Sequence, residues 1–163
     1  MATKGTRTMH TENRIEIRGD VKRIFQIAAQ VDKWPEILPH YRWVRIIQRR
    51  KRRTTVEMAA RRGRLPVSWT AVQEIFPYER ITYKHIKGFT TGMDVTWSFT
   101  PVDERVQVII THDFFLGWPV VGGLVSKYVV GALFVKPIAS RTLDQIRRTV
   151  ESGQTVRRDR KER

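Results

Sequence analysis

The order of local signals along this chain constrains its fold more than any single motif does. One strand-like run is followed by a short amphipathic helix, six further strand-like runs and a long apolar helical stripe. Period-two runs joined by short turns favour an antiparallel meander. A sheet with one apolar face needs something to cover it, and the last helix is the available cover. The expected class is therefore α+β. A seven-stranded curved antiparallel sheet wraps a long C-terminal helix, with short helices near the N-terminus and space for an oily ligand between.

The first strand runs from Met9 to Arg18, where Ile15 and Ile17 alternate with Arg14, Glu16 and Arg18. Gly19-Asp20 makes a turn, and Asp20 is placed to cap a helix from Val21 to about Gln30. Val21, Ile24, Phe25 and Ala28 share one face of that helix. It is expected to stop before Trp34-Pro35, because the residue preceding a proline avoids the helical region. Trp34-Pro35-Glu36-Ile37-Leu38-Pro39 then reads as a compact corner.

Six strands follow: Tyr41 to Gln48, Thr54 to Arg62, Leu65 to Phe76, Arg80 to Lys87, Gly92 to Thr100 and Arg105 to Phe115. Alternation assigns an inward face to Val56, Met58 and Ala60, to Val67, Trp69 and Ala71, and to Ile81, Tyr83 and His85. Met93, Val95, Trp97 and Phe99 continue that face, as do Val106, Val108, Ile110, His112 and Phe114. The Tyr41–Gln48 strand stays ambiguous, since Val44 and Ile46 compete with Trp43 and Ile47.

Val125, Tyr128, Ala132, Val135, Ala139, Leu143, Ile146 and Val150 step by three or four residues, one helical stripe. Pro137 interrupts it, because proline inside a helix removes a hydrogen bond and clashes with the preceding turn. A break is expected near Phe134–Pro137, with regular helix to about Glu151. Upstream, Phe114 to Val135 approaches the length of a membrane span, but Gly117, Pro119, Gly122, Gly123 and Lys127 oppose that reading. Gly117 to Gly123 is expected to form a mobile loop over the cavity mouth.

Length fits one domain, and the absence of cysteine excludes disulfides and thiolate-ligated zinc. Charge is the unusual quantity. Thirty-one Lys and Arg against sixteen Asp and Glu give +15, a field that attracts anions. The clusters are Arg49-Arg50-Lys51-Arg52-Arg53, Arg61-Arg62-Gly63-Arg64 and the run from Arg157 to Arg163. A nucleic-acid stripe is not expected, because the turns near Lys51 and Gly63 lie at opposite ends of one strand. An anionic membrane surface is the expected transient partner. The polar N-terminus has no signal-peptide run, so a cytoplasmic location is expected.

The strand, helix, Trp34–Pro39 corner and meander, with Trp97-Ser98-Phe99-Thr100-Pro101 and the final Ile138-Ala139-Ser140-Arg141-Thr142-Leu143, resemble the START-like (SRPBCC, helix-grip) superfamily. Its polyketide cyclase/dehydrase and coenzyme-Q-binding branches are the most similar. The resemblance covers residues 8–151 and leaves 152–163 as a basic tail expected to be disordered. It implies a deep cavity for a hydrophobic small molecule, such as a lipid or an isoprenoid quinone. The alternative it implies is a cyclase, aromatase or dehydrase acting on a polyketide-like chain.

Met58, Trp69, Tyr83, His85, Met93, Trp97, His112 and Phe114 are the candidate ligand-binding residues, since aromatics and adaptable methionines suit a flat apolar ligand. His112, His85 and Tyr83 are the candidates for proton handling, against the plainer reading of core side chains satisfied by a neighbour. His10, His40, His85 and His112 are scattered without ligand spacing, so no metal is expected, and no cofactor.

Overall fold

The structure, a computed structural model, describes residues 8–88, 90–115 and 134–161. Strand β1 (Thr8–Arg18) leads through Gly19-Asp20 into helix α1 (Val21–Ala29). The Asp20 carboxylate accepts from the backbone N–H of Arg23 at 3.3 Å, satisfying one of the donors that a helix start leaves open. Ile24, Phe25 and Ala28 are the buried face of α1. A 3-10 turn (Val31–Lys33) follows, then one helical turn, α2 (Trp34–Ile37).

The corner carries a single helical turn, as its sequence allowed, and α1 ends at Ala29, before Trp34. Trp34 precedes Pro35 and is nevertheless helical, with φ −57° and ψ −40°. Proline at the start of a helix is tolerated, because its missing N–H would find no partner there anyway. The indole is held by its Nε1–H, which donates to the Ile27 carbonyl at 3.2 Å.

Six strands complete the sheet: β2 (Tyr41–Arg50), β3 (Arg53–Arg62), β4 (Leu65–Phe76), β5 (Arg80–Gly88), β6 (Met93–Val102) and β7 (Arg105–Phe115). The strand order is β1-β7-β6-β5-β4-β3-β2, every pair antiparallel. Register matches the alternation read from the sequence: Met58 pairs with Trp69, Ile81 with Trp97 and Val95 with His112, all on the inner face. In β2 the ambiguity has a structural cause. Register shifts between Tyr41 and Trp43 and between Ile46 and Gln48 move the chain out of strict alternation. Val44 and Ile46 pack on the core, whereas Ile47 is exposed and Trp43 turns outward beneath the Arg45 guanidinium, 4.6 Å from its ring.

Helix α3 (Lys136–Lys161) lies along β1 and closes the concave side. Pro137 falls in its first turn, where a missing N–H is tolerated, and Phe134–Val135 form a wide π-type turn leading into it; the residues before Phe134, on the far side of the expected break, lie outside the described residues. Val135, Ala139, Leu143, Ile146 and Val150 are buried, and the Glu151 carboxylate accepts from the Arg18 backbone N–H at 3.1 Å. Val125, Tyr128, Ala132 and the loop Gly117–Gly123 lie outside the described residues. At the far end the helix runs on to Lys161, through residues expected to form a tail. At Gly153 a Cβ would meet the Arg23 guanidinium of α1. Among the described residues no helix is long and apolar enough to cross a membrane.

Gly88 ends β5 with φ +93°, and a Cβ there would run into the Ser68 carbonyl oxygen of β4. Both the backbone conformation and the close approach require glycine. Gly88→Ala is expected to cost about 1–3 kcal/mol. Chemical denaturation checks this, and an unchanged midpoint would contradict the strand contact.

Candidate functional site

Between the sheet and α3 lies a cavity of about 80 Å³, counted as space open to the centre of a water-sized molecule. By that measure one water needs about 10–15 Å³, so the space exceeds a packing defect. Trp34, Trp69, Trp97, Met58 and Met93 make the bulk of its wall, with Val95 and Ile110 on the sheet and Phe134, Val135, Ile138 and Ala139 on the helix side. Trp34 stands at the hub of the aromatic contacts. Its ring centroid is 4.9 Å from Tyr41 and 5.7 Å from Trp97, and Tyr83 lies 6.5 Å away.

Of the residues proposed from sequence, Met58, Trp69, Tyr83, His85, Met93, Trp97 and His112 are brought together around this space. Phe114 is not among the lining residues; it packs half-buried against the core near the end of β7. Trp34, Tyr41, Thr90 and Thr142 also line the cavity and were not singled out from sequence. Trp34 and Tyr41 sit in or beside the proline corner, where no periodicity reports a face. Thr142 lies on the buried face of α3, at helical spacing between Ala139 and Ile146, but is polar and so was not counted in the apolar stripe. Gln73 does not line the cavity but bonds Tyr83, and here a signal existed: it continues the inward alternation of Val67, Trp69 and Ala71.

The polar groups fall into three sets. Gln73 is only 2% exposed, and its Nε2 donates to the Ala29 carbonyl and to the Tyr83 hydroxyl oxygen, each at 3.0 Å. A carbonyl can only accept, so the Ala29 contact fixes which end of the amide faces Tyr83. Tyr83 therefore receives a hydrogen bond, and among the described residues no acceptor takes its own hydroxyl proton. Burial pushes its pKa well above the ordinary phenol range, against the hydrogen bond from Gln73, so it is a neutral donor at any physiological pH.

The second set joins the corner to α3. His40 Nε2 and the Thr142 hydroxyl are 2.8 Å apart, and that hydroxyl donates to the Ile138 carbonyl at 2.8 Å. Tyr41 also contacts Thr142, and burial raises its pKa. Burial, then the nearby Arg141 charge, lower the His40 pKa to about 4.

The third set is the histidine pair, two strands apart on β5 and β7. His85 stacks on Trp69 with ring centroids 5.7 Å apart, and its Nδ1 meets the Thr90 hydroxyl at 2.5 Å. Burial, then His112, lower its pKa to about 3. His112 is buried with its Nδ1 unpartnered, and burial lowers its pKa to about 4 even though the Asp113 carboxylate opposes the shift. Both imidazoles are thus neutral near pH 7, and burial makes each a weak base in the empty cavity. Among the described residues no three His, Asp or Glu side chains converge as a metal site.

Comparison with known proteins places this geometry. A family profile described as polyketide cyclase/dehydrase and lipid transport matches residues 17–132. The bifunctional cyclase/dehydratase of the actinorhodin polyketide synthase of Streptomyces coelicolor is 23% identical over 111 residues. That match covers 66% of this chain and 34% of the relative, so the chain spans about a third of its length. The crystal structure of the Zhui aromatase/cyclase of a Streptomyces species superposes with a TM-score of 0.70 at 21% identity, over 90% of this chain and 99% of that one. A START superfamily protein of Mycobacterium smegmatis gives 0.67 at 16% identity, over 88% and 97%. Identities this low establish the fold alone. The profile match spans more than half of the sequence, and the chain accordingly belongs to the polyketide cyclase/dehydrase and lipid-transport family, on the START-like helix-grip fold.

Proposed function

We propose that this chain binds a hydrophobic, carbonyl-bearing small molecule of the lipid or isoprenoid-quinone kind in the cavity under α3. The observation that carries the reading is the Tyr83 hydroxyl, aligned by Gln73 with its proton uncommitted, inside a wall of indoles and thioethers. Flat aromatic surfaces favour a planar ring, and a single fixed donor selects a ligand with an acceptor oxygen. In this reading the protein works in the cytoplasm and takes its ligand up at anionic membrane surfaces, towards which its +15 charge draws it.

Native mass spectrometry of freshly purified protein tests the proposal, with a co-purifying quinone or lipid as the expected result. Protein that is empty and takes up neither on titration would overturn it. Tyr83→Phe removes the donor and keeps the ring, so affinity for a quinone is expected to fall about tenfold while affinity for a ring of equal size without carbonyls is unchanged.

A second reading, a cyclase, aromatase or dehydrase acting on a polyketide-like chain, is favoured by one specific feature. His112 lines the cavity with a buried, neutral imidazole, the kind of group that removal of a proton beside a ketone requires. The cyclase/dehydratase relative supports the same reading. It predicts that His112→Gln lowers turnover of a poly-ketone substrate by about 10²-fold or more while the substrate still binds. Absence of turnover in the unmodified protein would leave the carrier reading alone.

A further inference from the structure

The β3–β4 hairpin extends past both of its neighbours. On one side the last residue of β3 paired with β2 is Ala60, opposite Tyr41, and the Arg61 backbone N–H donates to the His40 carbonyl at 2.9 Å. On the other side β5 ends at Gly88, opposite Trp69. Arg62 of β3 and Leu65–Ser68 of β4 therefore have strand partners only within the hairpin. At about 3.3 Å per residue the arm stands roughly 10 Å clear of the sheet.

Its composition is one-sided. Arg61, Arg62 and Arg64 are exposed, and no acidic residue occurs between Glu57 and Glu74. Neither Arg61 nor Arg64 has an ion-pair partner among the described residues. Beside them at the tip Leu65 is 59% exposed, followed by exposed Pro66. At the base of the arm Val67 and Trp69 line the cavity, as does Thr90, two residues past the Gly88 that pairs with Trp69.

We infer that the Arg61–Ser68 arm is a membrane-docking element that inserts Leu65 among the headgroups of an anionic lipid surface and brings that end of the cavity against the bilayer. A basic patch alone would suit any polyanion. The exposed leucine and proline between arginines are what select a lipid surface, which accepts charge and apolar carbon at adjacent depths. An acidic protein would pair with the arginines and leave Leu65 without a role. The inference rests on the reading of the cavity as a site for a membrane-derived ligand, because only such a ligand requires its mouth to meet lipid.

Full-length protein is floated with phosphatidylcholine vesicles with and without phosphatidylserine, and binding of a water-soluble short-chain quinone is measured separately without vesicles. Each basic residue near an anionic surface contributes about fivefold to partitioning. Arg61→Gln with Arg64→Gln is therefore expected to weaken binding to phosphatidylserine vesicles about 25-fold, and Leu65→Ser about tenfold. Removing the same charge at the other end of β3, with Arg50→Gln and Arg52→Gln, is expected to change it by no more than about twofold, since about 30 Å exceeds the screening length.

Equal effects of the two charge pairs, equal binding to neutral and anionic vesicles, or no effect of Leu65→Ser would each overturn the arm's role. Arm-dependent capture of soluble polyglutamate in place of vesicles would overturn it in favour of an acidic protein partner. Quinone binding is expected to be the same in the arm variants and the unmodified protein. If vesicle binding depends on the arm and no quinone binds, the cavity reading fails and the docking element stands.

Discussion

Between pH 7 and pH 5 the protein is expected to lose about 6 kcal/mol of folding stability. Three histidines are buried in neutral form, with pKa values lowered from 6.5 to about 4 for His40, about 3 for His85 and about 4 for His112. In the unfolded chain the same groups take up protons once the pH drops below 6.5. The folded state refuses those protons until the pH nears 4 or 3. Each histidine thus contributes stability that is complete above pH 6.5 and lost as the pH falls towards its folded value. At pH 5 the difference is about 2 kcal/mol per group, and the sum over the three, about 6 kcal/mol, is comparable with the whole stability of a marginal domain.

Urea denaturation followed at several pH values checks the loss. Replacing any one of the three with glutamine is expected to flatten the curve by about a third between pH 6.5 and pH 5. A stability that holds constant over that window would contradict the burial of neutral imidazoles. His40 gives the loss a structural direction, because its bond to Thr142 joins the proline corner to α3. Acid is expected to detach the helix from the sheet.

The second large effect is expected at Trp34. Trp34→Ala should destabilise by about 3–5 kcal/mol and lower the midpoint of thermal unfolding by about 10 °C. The indole is 2% exposed, touches Tyr41, Tyr83 and Trp97 and anchors its N–H on the end of α1, so no neighbouring side chain can fill the space it leaves. The same substitution removes one wall of the cavity, so loss of ligand binding is expected even where the variant is folded. Near-ultraviolet circular dichroism together with thermal unfolding measures both parts. A fall of less than about 1 kcal/mol would mean that the corner is a loosely packed cap and does not hold the cavity together.

What was legible in the residues depended on whether one periodicity acted alone. In β3, β5, β6 and β7 one face is buried, so a period of two assigns every side chain to core or solvent. Tyr83, His85, Trp97 and His112 were found in that way. In β2 two register shifts break the period, and Val44 and Trp43 could not be ranked. Phe114 obeys the alternation but sits near the strand's end, and facing inward there does not bring it to the cavity. Trp34 was read as the point where a helix stops, whereas Pro35 starts a new turn there and carries the indole into the core.

The buried polar partners were not legible for a different reason. His40 and Thr142 are separated by 102 positions, and Gln73 meets Ala29 across 44. Hydrogen bonds between distant segments leave no periodic trace, because each partner satisfies its own local rules wherever the other lies.

The element order, the inward faces of the regular strands, the Asp20 cap and the place of Pro137 in a first helical turn were determined by the sequence alone, because each depends on neighbours within one or two turns of chain. Curvature of the sheet around α3, the free proton on Tyr83, the neutral state of the three histidines and the overhang of the arginine arm were decided only by the tertiary structure. These follow from which groups are removed from water and which strands run out of partners, and burial and pairing are properties of the assembled chain.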